Sequence, residues 1–97
     1  MKLKVKKLGS FRGLMFRRRP KIPVFIAFDG KGIHTWFVFY PIRVVFLDTN
    51  CIVTDIRWRI KPFSTYRSRI PSAFVIESRV DDSWLPTLGE RVDLEIG

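Results

Sequence analysis

The sequence predicts a mostly β domain, a small α+β fold in which a compact antiparallel sandwich or partly closed barrel carries one short helix. Three observations predict it. Short apolar or alternating segments recur between Pro and Gly punctuation along the whole chain. β-branched and aromatic residues dominate those segments, as in Val44-Val45-Phe46 and Val75-Ile76. Ninety-seven residues with 46% hydrophobic content are one domain, 1–97, large enough for a core.

Each element follows in order. Lys2–Leu8 alternates Lys with apolar residues and reads as a strand with Leu3 and Val5 inward and Lys2, Lys4 and Lys6 on the other face. Ser10–Arg18 reads as the helix, with Ser10 as cap and Phe11, Leu14 and Met15 on one face. Pro20 and Pro23 end it. Val24–Phe28 and Ile33–Tyr40 read as a hairpin around Asp29-Gly30-Lys31-Gly32. Arg43–Leu47 is the next strand and Asp48-Thr49-Asn50 a turn. Cys51–Ile60 alternates, with Ile52, Ile56, Trp58 and Ile60 on one face and Val53, Asp55, Arg57 and Arg59 on the other. Lys61–Ser72 reads as a loop, Ala73–Val80 as a strand and Asp81–Glu90 as irregular. Arg91–Ile96 is a last strand with Val92, Leu94 and Ile96 inward.

The net charge of +9 is concentrated at one end. Residues 1–21 hold nine bases and no acid, while residues 22–97 hold nine bases against nine acids. A neutral domain with a basic N-terminal segment has a directional field that attracts polyanions. Arg12, Arg17, Arg18, Arg19 and Lys21 are the candidate nucleic-acid contacts, since a guanidinium fork donates two parallel hydrogen bonds to a phosphate. The zinc-knuckle, RNP-type and helix-turn-helix signatures are absent from the sequence.

Other chemistry is thinly represented. One Cys and one His exclude the usual zinc sites, iron–sulfur clusters and disulfide scaffolds. No P-loop or Gly-x-Ser-x-Gly elbow occurs, so neither a metal nor a cofactor is expected, and no residue is assigned a catalytic role. His34 lies in an apolar run and reads as structural or ligand-contacting. Cys51 reads as a structural thiol at a strand start. Asp81-Asp82 reads as a solvated turn. Arg43 and the Tyr66 and Arg67 of the long loop complete a candidate anion site with His34. No apolar run is long enough for a membrane span and Met1 to Leu8 has no signal-like apolar region, so no membrane partner and a cytoplasmic location are expected.

A further set of residues carries a resemblance. Gly13-Leu14-Met15-Phe16-Arg17, His34-Thr35-Trp36-Phe37, Pro41-Ile42, Val44-Val45-Phe46-Leu47-Asp48, Val75-Ile76-Glu77 and Leu88-Gly89-Glu90-Arg91-Val92 follow in an order and spacing similar to the uncharacterised conserved ACR family, also called domain of unknown function 192. The resemblance runs from about Leu8 to Ile96. It implies a small β-rich domain without an established catalytic residue. Members usually carry an Asp after the Pro-Ile, where this chain has Arg43, a reversal of charge. Three function classes follow from the residues. The first is a non-enzymatic binding module for an anionic small molecule or acidic partner. The second is a nucleic-acid-binding accessory protein using the basic segment, and the third a small enzyme centred on His34.

Overall fold

A computed structural model describes residues 2–8, 24–34, 40–81 and 83–96. The elements are β1 (Lys2–Leu8), β2 (Val24–His34), β3 (Ile42–Leu47), β4 (Val53–Ile60), β5 (Thr65–Arg79) and β6 (Asp93–Ile96). Neighbouring strands run in the order β4-β3-β5-β2-β1-β6. Hydrogen bonding divides them into two sheets that share β1: residues 2–5 pair with β6 and residues 6–8 with β2. Among the described residues the fold is β with no helix; the expected Ser10–Arg18 helix falls outside them.

The antiparallel expectation needs one correction. β2–β5, β3–β4 and β3–β5 are antiparallel, but β1 runs parallel to both of its neighbours. The reason lies in the chain path: a long connection, not a tight hairpin, separates β1 from β2, and only such a crossover can join parallel strands. Among the described residues the sheet also does not close into a barrel. An isolated bridge, Ile52 with Arg91, brings the start of β4 to the chain ahead of β6 without extending into a ladder.

β1 is laid out as its alternation dictates. Val5 is fully buried and Leu3 half-buried, while Lys2 and Lys4 are exposed. β3 is buried on both faces because a core cluster packs against each. Ile42, Val44 and Phe46 join Ile60 and Val75 in one core cluster. Val45 and Leu47 face the other way, into a second cluster with Val5, Val53, Ile76, Trp84 and Val92.

The expected hairpin at Asp29-Gly30-Lys31-Gly32 is instead the middle of one continuous strand. β2 passes straight through, with register shifts between Ala27 and Gly30 and between Gly30 and Gly32. A glycine suits a bulge as well as a turn, and here the pairing with β5 decides between them. The expected Lys61–Ser72 loop shrinks for the same reason. Only 61–64 form the connection, and β5 begins at Thr65 opposite His34. Pro71 is accommodated because Ser68 to Pro71 lie in the stretch that the second shift leaves out of register.

The alternation of β4 is broken twice. Ile42 pairs with Ile60 but Val44 with Arg57, and Phe46 pairs with Asp55 but Leu47 with Val53. Each irregularity moves a residue to the other face. Ile60 therefore joins the Phe46 cluster rather than sharing a face with Ile56, and Val53 joins the cluster that Ile56 packs against.

The β3–β4 turn is held by Asp48. Its Oδ1 accepts from the backbone N–H of Asn50 at 2.8 Å and of Ile52 at 3.0 Å. Cys51 donates its N–H to the Asp48 carbonyl at 3.0 Å and has φ of 60°, the left-handed conformation that a bulged hairpin turn requires.

Candidate functional site

β3 separates the expected anion site into two. Its odd-numbered side chains face one core cluster and its even-numbered ones the other, so Arg43 lies on the side of Trp84 and Tyr66 on the side of Phe46. Arg43 pairs with Ser78 near the end of β5, whereas Tyr66 and Arg67 stand at its beginning. The structure thus places Arg43 apart from the other expected ligands. It does bring those others together. β2–β5 pairing sets Ile33 opposite Tyr66, His34 opposite Thr65 and Gly32 opposite Arg67, so the backbones of His34, Tyr66 and Arg67 meet at one end of that ladder.

Arg43 is 5% exposed. A guanidinium so deep needs acceptors, because its desolvation costs several kcal/mol. The chain supplies backbone carbonyls: Nη1 donates to Trp84 O and Nη2 to Val80 O at 2.8 Å. The cation also lies 5.1 Å from the centroid of the Trp58 ring. Arg43 therefore ties the segment after β5 to β3 and β4. That segment continues as an irregular strap. Trp84 and Pro86 are buried, and Gly89 donates to Val53 O at 2.9 Å. Val53 donates to Glu90 O at 2.8 Å and Val92 to Cys51 O at 2.9 Å. Gly89 turns the strap back with φ of 83°, a position a side chain would strain.

Tyr66 is equally engaged. Its hydroxyl donates to Asp55 Oδ2 at 2.7 Å, its ring lies 5.6 Å from that of Phe46, and the Arg57 guanidinium sits 4.0 Å from its centroid. Burial, followed by the hydrogen bond to Asp55, pushes the Tyr66 phenol above its ordinary value of 10, and Arg57 opposes the shift. Because the raised value belongs to the folded state, its contribution to stability is whole below about pH 10 and is lost as the pH rises through the folded-state value. Tyr66→Phe is expected to cost about 1 kcal/mol at neutral pH, for one hydrogen bond. It is also expected to flatten the fall in stability above about pH 10. Denaturant melts of both proteins across that range check this, and parallel pH profiles would contradict it.

Burial pushes the Cys51 thiol up, with Arg91 opposing and Asp48 and Asp93 adding to the shift. It is a thiol and not an activated thiolate at neutral pH. Among the described residues no group of three or more His, Cys, Asp or Glu could hold a metal ion. Asp81 forms an exposed ion pair with Arg79 at 2.5 Å. No helix among the described residues is long and apolar enough to cross a membrane. The candidate nucleic-acid residues Arg12, Arg17, Arg18, Arg19 and Lys21 lie outside the described residues, as do the side chains of His34 and Arg67.

Sequence reasoning missed the outer edge of the sheet. β4 ends the strand order, and Arg57, Trp58 and Arg59 are all exposed on it. Lys61 and Phe63 follow, both exposed, with Phe63 held at φ of 56°. The available signal was the Arg-Trp-Arg run itself, whose Trp the alternation placed on the face of Ile52, Ile56 and Ile60. The buried Glu77, flanked in register by Val24 and Val44, was also missed; an acid between Ile76 and Ser78 gave no sign of the strands on either side.

No family model and no curated protein matches the chain. Two solved structures are similar in fold. One is a protein of unknown function from Novosphingobium aromaticivorans, with a TM-score of 0.69 and 16% identity over 77% of this chain and 61% of that one. The other is a candidate transcription regulator from Sinorhizobium meliloti, with a TM-score of 0.65 and 23% identity over 77% of this chain and 67% of that one. This chain thus spans less than two thirds of the first structure's length. At these identities the likeness shows a shared fold, that of an uncharacterised small β domain.

Proposed function

We propose that this chain is a non-enzymatic binding module for a polyanion, that the polyanion is nucleic acid, and that the basic residues of positions 1–21 make the main contact. The observation that carries the reading is the placement of charge. All of the net +9 resides in that segment, while residues 22–97 sum to zero. Of that segment's bases, Lys2 and Lys4 are exposed on β1.

The geometry favours a polyanion over a small anion. A small-anion site centred on Arg43 needs a guanidinium directed at the ligand, and this one is directed at the carbonyls of Val80 and Trp84. Tyr66, the second described member, is committed to Asp55 on the opposite face. A basic segment attached to a neutral domain needs no such pocket, because phosphate contacts supply affinity through counterion release. The Sinorhizobium meliloti neighbour, named for transcription regulation, is consistent with this reading. The resemblance to the ACR family adds a β-rich domain and no activity to it.

The test is a titration of a fluorescein-labelled 20-base-pair duplex with the full chain at low salt. Binding is expected, weakened when Arg17, Arg18 and Arg19 are replaced together by Gln. Absence of binding to DNA and RNA at low salt would remove the reading.

A further inference from the structure

We infer that Trp58 on the outer strand β4 is a stacking platform for an unpaired base, so that this chain binds single-stranded nucleic acid more tightly than duplex. The inference rests on the polyanion reading and names the form of nucleic acid and the residue that selects it.

Trp58 is 49% exposed in the middle of a strand, on an indole that burial would stabilise. Its inner side rests against the guanidinium of Arg43, 5.1 Å from the ring centroid, and Arg43 is itself fixed by two backbone carbonyls. The ring is thereby oriented from beneath by a buried cation, and its accessible side is the outer one. An aromatic ring supported in this way has less rotamer freedom to lose when a ligand arrives, which lowers the cost of binding.

The charges around the ring fit an anionic strand. Arg59 is exposed next to Trp58, and Lys61 is exposed three positions on, roughly 10 Å along an extended backbone. Arg57 points to the other face, over Tyr66, and is not part of the platform. The described residues 56–63 hold no acid. A base stacked on Trp58 would have its backbone phosphates within reach of Arg59 and Lys61, the combination by which single strands are bound without sequence preference. Phe63, 54% exposed at the tip of the β4–β5 connection and held at a φ of 56° that costs a non-glycine residue about 1 kcal/mol, is a second ring on the same end of the strand.

A basic edge strand is also a device against sheet-to-sheet aggregation. Arg57, Arg59 and Lys61 would serve that purpose alone. An exposed Trp among them works against it, because a large apolar ring on an open edge invites association. The platform accounts for the Trp as well as for the charges.

The test measures binding of fluorescein-labelled oligo(dT) of 20 nucleotides and of a 20-base-pair duplex to the parent, Trp58→Phe and Trp58→Leu. Thermal melts confirm that each is folded. Leu keeps apolar bulk over Arg43 and removes the π face; Phe keeps a π face. Stacking on an aromatic ring is worth roughly 1–3 kcal/mol per base, so Trp58→Leu should weaken oligo(dT) binding by about 5- to 150-fold. Duplex affinity and the salt dependence should be unchanged, and Trp58→Phe should recover most of the loss. Parent-like binding of oligo(dT) by Trp58→Leu overturns the inference and leaves the polyanion reading standing. Equal losses on both probes also overturn it, since Trp58 would then act through the fold. Failure of the parent to bind either probe removes both.

Discussion

Arg43→Asp is expected to destabilise the protein by about 3–5 kcal/mol. The substitution removes two charge-assisted hydrogen bonds and sets a carboxylate where the carbonyl oxygens of Trp84 and Val80 converge. Each carbonyl left without its donor costs about 1–3 kcal/mol. The site is 5% exposed, so water cannot readily restore what is lost. For a domain of this size that loss corresponds to a fall of roughly 12–40 °C in melting temperature. Arg43→Met, which keeps the apolar stem without the new charge, should cost less. Calorimetric melts of the three proteins give the answer. A loss under about 1 kcal/mol for Arg43→Asp would mean that the guanidinium reaches solvent or an anion and does not staple the strap.

Phe46→Ala is expected to cost about 3–5 kcal/mol. Phe46 is fully buried between Ile42, Val44, Ile60 and Val75, the centre of one of the two core clusters. It also carries Tyr66 on its ring at 5.6 Å with the planes inclined by 48°. Truncation leaves a cavity under that ring, so the phenol gains water and its raised pKa should fall toward the ordinary value. Denaturant unfolding measures the first effect and spectroscopic titration of the phenol the second. A cost below about 1.5 kcal/mol, or an unmoved phenol, would show that Tyr66 is held by Asp55 and Arg57 without help from the core.

What the sequence revealed divides along a physical line. Strands with one wet face were legible: Lys2, Leu3, Lys4 and Val5 alternate as their burial does. So was the strand at Arg43–Leu47, whose β-branched and aromatic residues mark it, although its burial on both faces was not read from them. Features that depend on which strand lies alongside were not. Gly30 and Gly32 supply the same conformational freedom to a turn and to a bulge, and only the register with β5 distinguishes them. Ile60 changes face because β4 carries one residue more than β3 can match there. Thr65 and Tyr66 look like loop residues between two prolines, and become strand because β2 continues far enough to pair with them.

The candidate site divides in the same way. The basic segment needed only counting. Arg43 was singled out as part of an anion site, whereas the groups that receive it are the carbonyls of Val80 and Trp84, on an irregular stretch whose path no local pattern encodes. Trp58 shares the face of Ile56, as the alternation gave it, but its exposure was not legible. Its exposure follows from β4 standing at the edge of the sheet, a consequence of strand order.

The salt dependence of nucleic-acid binding tests the central claim most directly. With four to six phosphates contacted by the basic segment, the logarithm of the binding constant for a duplex should fall against the logarithm of salt concentration with a slope of roughly −4 to −5. Replacing Arg17, Arg18 and Arg19 together by Gln should flatten it by roughly 2 to 3, one contact for each arginine. Binding that is absent at low salt, or a slope that the triple replacement leaves unchanged, would contradict the account.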